Sequence, residues 1–248
     1  MSTNSKIEWT QTTWNPITGC TPISAGCEHC YAATLAKRLK AMGNPRYKNG
    51  FQVTIHHDLF KTPFKWSKPR MIFVNSMSDL FHENIPDKDI LSLFQTMNQT
   101  PWHTYQILTK RPDRLLELTN QINWSANIWM GVTVENNEFV SRCEDLKKCG
   151  AQVKFVSAEP LLTSLSDIKL NGINWLIVGG ESGPKSRPIA EEWVLDLQEK
   201  AKKSSTAFFF KQWGGVNKKK TGSLLQGAEY KAYPQISKYA ELISEEAK

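Results

Sequence analysis

After residue 68 the chain repeats one pattern. Short apolar, β-branched runs recur at Met71–Met77, Tyr105–Thr109, Ile128–Val134, Val153–Ala158, Trp175–Gly179 and Ala207–Lys211. Their apolarity is continuous, not alternating, which suits strands buried on both faces of a parallel sheet. Between them lie stretches with helix start signals: Asp87 before DILSLFQTMN, Arg111-Pro112-Asp113 before RLLELTNQI, Asn136 or Asn137 before EFVSRCEDLKK, and Ala190 before EEWVLDLQEKAKK. The connection from Leu161 to Asn174 carries only a weak helical pattern. Strand–helix–strand repetition predicts an α/β fold with a parallel sheet.

A further strand around Asn15–Gly19 and a helix from Tyr31 to Met42 bring the expected count to seven strands. No G-x-G-x-x-G follows an early strand, so a doubly wound dinucleotide fold is disfavoured. The expectation is a (β/α) barrel of TIM type, partial or nearly complete, formed as one domain over residues 1–248. Two segments depart from the repeat. Residues 43–69 read as a basic insertion after the first helix, with a short strand-like piece at Phe51–His56. Residues 214–248 read as a C-terminal extension, with a hairpin around Gly222–Tyr233 and a closing helix from Ser237.

Composition narrows the function classes. Hydrophobic residues make up 40% of the 248, enough for a sizeable core. No run of eighteen apolar residues occurs and the start, MSTNSKIEW, lacks a signal-peptide core, so a cytoplasmic protein with no membrane partner is expected. The formal net charge is +7, unevenly spread. Nine Lys/Arg and one acid lie between Lys37 and Arg70, and seven Lys with no acid between Lys200 and Ala228. These two windows predict a polyanion-binding face around the barrel mouth.

Three of the five cysteines fall in the Gly/Pro/Ser-rich segment after the first expected strand, Cys20, Cys27 and Cys30, spaced C-x6-C-x2-C. An odd total with such clustering suits metal ligation in a reducing compartment better than a disulfide framework. Structural zinc normally takes four protein ligands. A fourth would come from His29, His56, His57 or a helix cysteine, but His29 sits inside the C-x2-C pair. Cys143 and Cys149 are six apart on an expected helix and face different ways. Three thiols with no evident fourth ligand point to an iron–sulfur cluster with one open iron.

This arrangement resembles the radical S-adenosylmethionine (SAM) enzymes, whose best-known spacing is C-x3-C-x2-C in the loop after the first barrel strand. The C-x2-C half is kept, with His29 before the third cysteine and Tyr31 after it. The first gap is six residues, not three, a departure that bears on the path of the loop and not on the number of ligands. The strings TTWNPITGC…GCEHCYA, FVNSMSDLFH, ILTKRP, WMGVTVEN, FVSAEPLL, WLIVGGESG and FFFKQWGG resemble, in order, the phage- and mobile-element-associated radical-SAM-like family of unknown function, the three-cysteine-motif or DUF5131-like proteins. The likeness runs from residue 7 to about 234. It implies a barrel, a [4Fe–4S] cluster on Cys20, Cys27 and Cys30, and SAM cleaved to methionine and a 5′-deoxyadenosyl radical. An electron donor such as flavodoxin or ferredoxin, and a companion protein, would go with such chemistry.

Barrel enzymes place reactive groups at the C-terminal strand ends, and here six successive ends are polar. By the same resemblance, Ser76 and Asp79 face the methionine amino group, Glu135 and Ser157 lie towards the ribose and carboxylate, and Glu159 is a further SAM-binding candidate, next in line with Glu135 for the amino group. Lys110 and Arg111 are candidates for a substrate phosphate or the SAM carboxylate. Glu181, Lys211 and Trp213 complete the candidate substrate wall, with Trp14 as a second aromatic. Gly179-Gly180-Glu181 follows strand six, so it does not correspond to the GGE motif that radical SAM enzymes carry after strand two. The basic windows favour a nucleic acid or nucleotide as substrate. A non-catalytic zinc or cluster protein that binds nucleic acid, and a radical enzyme acting on a peptide or partner protein, remain alternatives.

Overall fold

The computed structural model describes residues 5 and 7–235. Seven strands form one sheet: β1 (Thr12–Trp14), β2 (Met71–Val74), β3 (Thr104–Thr109), β4 (Ile128–Thr133), β5 (Val153–Ala158), β6 (Trp175–Gly179) and β7 (Ala207–Gln212). They lie side by side in chain order, and every neighbouring pair is parallel. The order never reverses, so all crossovers wind the same way and place their helices on one face.

The helices longer than four residues are α1 (Tyr31–Ala41), α2 (Asp87–Asn98), α3 (Pro112–Leu118), α4 (Ser141–Lys147) and α5 (Glu191–Lys203). In α2, buried Ile90, Leu93, Phe94 and Met97 follow helical spacing, and Asp87 and Asp89 occupy the first turn, where the helix dipole favours anions. In α5, Glu191 and Glu192 open the helix and Lys200, Lys202 and Lys203 close it, again matching the dipole. The crossover between β5 and β6 forms no helix. Its Leu165, Ile168, Leu170 and Ile173 are nevertheless buried in the main core.

Successive strand residues divide between two cores, as the period of two requires. Ile72, Val74, Met130, Val132, Val156, Leu176, Val178 and Phe210 pack beneath the helices. Met71, Phe73, Trp129, Val153, Phe155, Trp175, Ile177 and Phe209 face the other way, with Trp9 among them. This inner cluster is largely aromatic and centres on Trp175, whose ring lies 5.8–6.2 Å from those of Phe155, Phe209, Trp129 and Trp9. A concave sheet lined by such rings is a half-barrel filled at its lower end.

The barrel is partial, not nearly complete. It has seven strands, and β1 and β7 are its free edges. The C-terminal extension runs along the β7 edge: Phe210 N donates to Tyr230 O at 2.8 Å and Ala232 N to Phe208 O at 3.2 Å. Tyr233 then packs on Trp175 and Phe209 at 5.0 and 5.6 Å, and Lys231 pairs with Glu8 at 2.9 Å. An otherwise open edge is thereby covered.

The expected strand at Asn15–Gly19 divides in two. β1 lies earlier, and Ile17–Thr18 instead pairs antiparallel with Thr54–Ile55 of the insertion. The expected hairpin is a single bridge between Leu225 and Ala228, and the expected helix from Ser237 lies outside the described residues. Parts of the basic windows stand away from the mouth. Residues 61–70 lead into the N-terminal end of β2, and 200–203 stand just ahead of β7, so both lie at the end opposite the C-terminal strand ends.

On β4, a Cβ at Gly131 would sit 2.4 Å from the Phe155 ring. That ring is fully buried and has nowhere to move. Gly131→Ala is therefore expected to cost about 1–3 kcal/mol by overpacking, measured by urea denaturation. Adding Phe155→Leu is expected to recover part of the loss.

Candidate functional site

The cysteine loop leaves the short Ile17–Thr18 strand through Gly19, which has φ +90° and whose Cβ would lie 2.2 Å from Gln52 O. No other residue fits there without strain. Gly19 N donates to Met77 O at 2.9 Å and Cys20 N to Phe51 O at 3.1 Å. After a 3-10 turn at Ala25–Cys27 the chain enters α1, with Cys30 at the N-cap. Cys20, Cys27 and Cys30 are half-buried, and all five cysteines are free thiols. Burial pushes the Cys20 thiol up to about 11, with Asp79 adding to the shift and Arg111 opposing it.

All three cysteines line one cavity at the C-terminal strand ends, of about 290 Å³, floored by Trp9, Phe73 and Leu108. Ser76, Asp79, Ser157, Glu159, Lys110, Arg111, Glu181 and Lys211 line it as well. Three expected residues do not. Glu135 is fully buried beneath the cysteine loop, so close that a Cβ at Gly26 would meet its Oε1 at 3.0 Å. Trp213 turns outward, 4.8 Å from Phe210, and donates its Nε1 to Leu224 O. Trp14 is wholly in the core and donates to Leu59 O.

Each carboxylate of this region already has a cation. Asp79 accepts from Thr109 Oγ1 (2.7 Å), Phe81 N (3.0 Å), Lys110 N (3.0 Å) and Arg111 Nη1 (3.2 Å). Glu135 accepts from Arg142 Nη1 at 2.8 Å. Glu159 meets Lys211 Nζ at 2.8 Å and accepts from Trp9 Nε1 and Ser157 Oγ, each at 3.2 Å. Glu181 accepts from Arg187 Nη2 at 2.6 Å, from Arg187 N and Nε at 2.9 Å, and from His29 Nδ1 at 3.0 Å. Burial pushes the Glu181 carboxyl up, but these hydrogen bonds outweigh it and hold the group at about 2.

The cations differ in what they have left to give. All five N–H groups of the Arg111 guanidinium are directed at acceptors: Nε at Glu83, Nη1 at Asp79 and Cys20 Sγ, Nη2 at the carbonyl and hydroxyl of Thr21. Lys211 is committed to Glu159. The Lys110 ammonium has Glu135 at 3.8 Å as its nearest counter-charge, beyond hydrogen-bonding range. Burial lowers its pKa, and Glu135 works against that shift. Two further polar atoms of cavity-lining residues, Asn75 Nδ2 and Gln212 Oε1, are buried with no protein partner. Asn75 also takes φ 59°, an uncommon backbone state for a non-glycine residue.

The remaining candidates for metal ligands point elsewhere. His56 contacts Thr18 Oγ1 and His57 contacts Asp89. Cys143 is buried in α4 with its thiol on Lys169 O, and Cys149 lies buried past the helix end. Among the described residues no three His, Cys, Asp or Glu side chains gather closely enough to hold a single metal ion. Cys20, Cys27 and Cys30 are free thiols lining one cavity, a soft donor set that an iron–sulfur cluster would take, one thiol to each of three irons. Sequence reasoning missed Arg142, Arg187 and Trp9. Arg142 sits on a helix, Arg187 in an irregular loop and Trp9 ahead of β1, so none carries a strand-end signal.

Among the described residues, no helix is long and apolar enough to cross a membrane. No curated protein matches the chain in sequence. Among solved structures it is similar to spore photoproduct lyase complexed with dinucleoside spore photoproduct, at 12% identity and a TM-score of 0.47. It is also similar to a mutant of that lyase with bound AdoMet and the same dinucleoside, at 11% identity and a TM-score of 0.46. Each match covers 81% of this chain and 63% of the other. A family model described as "Protein of unknown function (DUF5131)" matches residues 4–234. The chain belongs to the DUF5131 family.

Proposed function

We propose that this chain is a radical SAM enzyme whose Cys20, Cys27 and Cys30 hold a [4Fe–4S] cluster at the cavity mouth and whose substrate is a nucleic acid or nucleotide. The observation that carries the reading is the meeting of three free thiols with polar strand ends on one cavity above an apolar, aromatic floor. A bound cluster and SAM would supply radical chemistry there, the abstraction of a hydrogen atom from the substrate.

The protein's part is to bind, orient and exclude water. Lys110 is the cation in the cavity wall without a hydrogen-bonded counter-charge, and it is assigned the anionic group of the ligand, the SAM carboxylate. Asn75 Nδ2 and Gln212 Oε1 are assigned as a further donor and acceptor for polar ligand groups. Asp79 has four donors on it and serves to hold the β2 and β3 ends together, so the ammonium partner first expected there is better sought among cavity-lining carbonyl and hydroxyl oxygens. The ring floor of Trp9 and Phe73 shields the lower end from water. Lys37, Arg38 and Lys40, all exposed on α1, which has no acidic residue and leads directly from Cys30, support a polyanionic substrate.

Single changes Cys20→Ser, Cys27→Ser and Cys30→Ser are each expected to abolish the visible charge-transfer absorption of reconstituted protein, while Cys143→Ser and Cys149→Ser retain it. Loss in either of the last two would overturn the ligand assignment. Reduced, cluster-loaded protein is expected to release 5′-deoxyadenosine from SAM, and no release would remove the radical reading. Lys110→Gln is expected to weaken SAM binding about ten-fold or more, the loss of one charge-assisted hydrogen bond, with the absorption unchanged. Unchanged affinity would place the carboxylate elsewhere. Binding to DNA or RNA should fall with salt on a log–log slope near the number of phosphates contacted, and Lys37→Gln with Lys40→Gln should flatten it. No binding at low salt would favour a peptide or other small substrate.

A further inference from the structure

Between Cys20 and Cys27 the loop spans six residues, and Thr21, Pro22 and Ile23 are exposed. Such a segment is not held by burial, yet its two arms are held in the same manner from opposite sides of the mouth. On the first arm, Arg111 at the β3 end reaches Cys20 Sγ at 3.6 Å and, through Nη2, Thr21 O at 3.1 Å and Thr21 Oγ1 at 3.0 Å. Its other N–H groups are anchored on Asp79 and Glu83, at 3.2 and 3.1 Å. On the second arm, Arg187 from the loop after β6 reaches Ala25 O at 3.0 Å and Glu28 Oε2 at 3.1 Å. It is anchored on Glu181, which also takes His29 at 3.0 Å.

We infer that Arg111 and Arg187 are a pair of straps that fix the two arms of the cysteine loop, and so act as positioning residues for its three thiols. The guanidinium suits the task because it is always charged and offers a rigid fork of donors, so one side chain can bind a carboxylate behind it and loop acceptors in front. Asp79 and Glu181 act one step further back, each holding its strap. The arrangement accounts for a first gap of six residues: the arms are fixed separately, and Pro22–Ser24 only has to bridge them. It also removes Arg111 from the set of substrate contacts, since no N–H of its guanidinium is left to give.

The inference rests on the reading that these thiols are ligands, but its test begins without metal. Hydrogen exchange by mass spectrometry on the metal-free protein reports the amides of Cys27, Glu28 and Cys30, which donate to Ser24 O, Ala25 O and Cys27 O. Arg187→Gln is expected to speed exchange in that segment about ten-fold, the scale of one lost charge-assisted hydrogen bond, with the β-strands unchanged. Arg187→Lys, which keeps the charge but not the fork, should recover only part. Arg111→Lys should loosen the segment around Cys20 and leave Cys27–Cys30 protected. After anaerobic reconstitution, the Arg187→Gln and Arg111→Lys variants are expected to lose iron to a chelator faster than the parent protein. Unchanged exchange in both variants would overturn the inference, as would a rise spread equally over the sheet. Failure of the parent protein to take up iron would instead count against the radical SAM reading and leave the exchange result standing.

Discussion

A carboxylate withdrawn from water at a strand end must meet a cation or become neutral. Four such groups, Asp79, Glu135, Glu159 and Glu181, ring the upper end of this barrel, and each is met by a cation from a different part of the chain: Arg111, Arg142, Lys211 and Arg187. Ion pairs of this kind add little net stability when complete, but losing one partner leaves a buried charge and costs about 3–5 kcal/mol. Their effect is therefore on geometry. They tie β2 to β3 and β5 to β7, and the arginines of two of the pairs, Arg111 and Arg187, also reach the cysteine segment over the cavity.

The rest of the site follows from this frame. Because the carboxylates and most cations are committed to one another, the cavity is not a generally charged well. It is a nearly neutral chamber with a few uncommitted groups: the Lys110 ammonium, Asn75 Nδ2 and Gln212 Oε1. Below it, the aromatic cluster around Trp175 fills the barrel and gives the chamber a floor. The C-terminal extension contributes Tyr233 to that cluster and covers the free edge of β7. Selectivity in such a site rests on a small number of polar contacts against an apolar background.

Much of this was legible in the amino-acid sequence. The runs Val153–Ala158 and Trp175–Gly179 match their strands end for end, and α5 starts straight after Ala190 as expected, because continuous apolarity and an acidic first turn are local signals. The grouping of the cysteines with the polar strand ends followed from barrel topology. Pairing was not legible. Nothing near Asp79 in sequence shows that Thr109 and Arg111 will saturate it, and nothing in the loop holding Arg187 shows that it will cross to Ala25 and Glu28. Glu135 and Trp213 sit at strand ends as expected, but they turn under the loop and outward, a choice set by packing against Gly26 and Phe210. The run Asn15–Gly19 misled for a related reason: its β-prone residues pair with the insertion, a partner that local periodicity does not identify.

The central claim is that the three-thiol cavity holds a SAM-binding iron–sulfur cluster. Electron paramagnetic resonance of the reduced, anaerobically reconstituted protein, with and without SAM, tests it most directly. The account predicts about four irons per chain and a cluster signal that changes when SAM is added, as an open iron takes a new ligand. A signal indifferent to SAM, or a colourless protein carrying zinc, would contradict it.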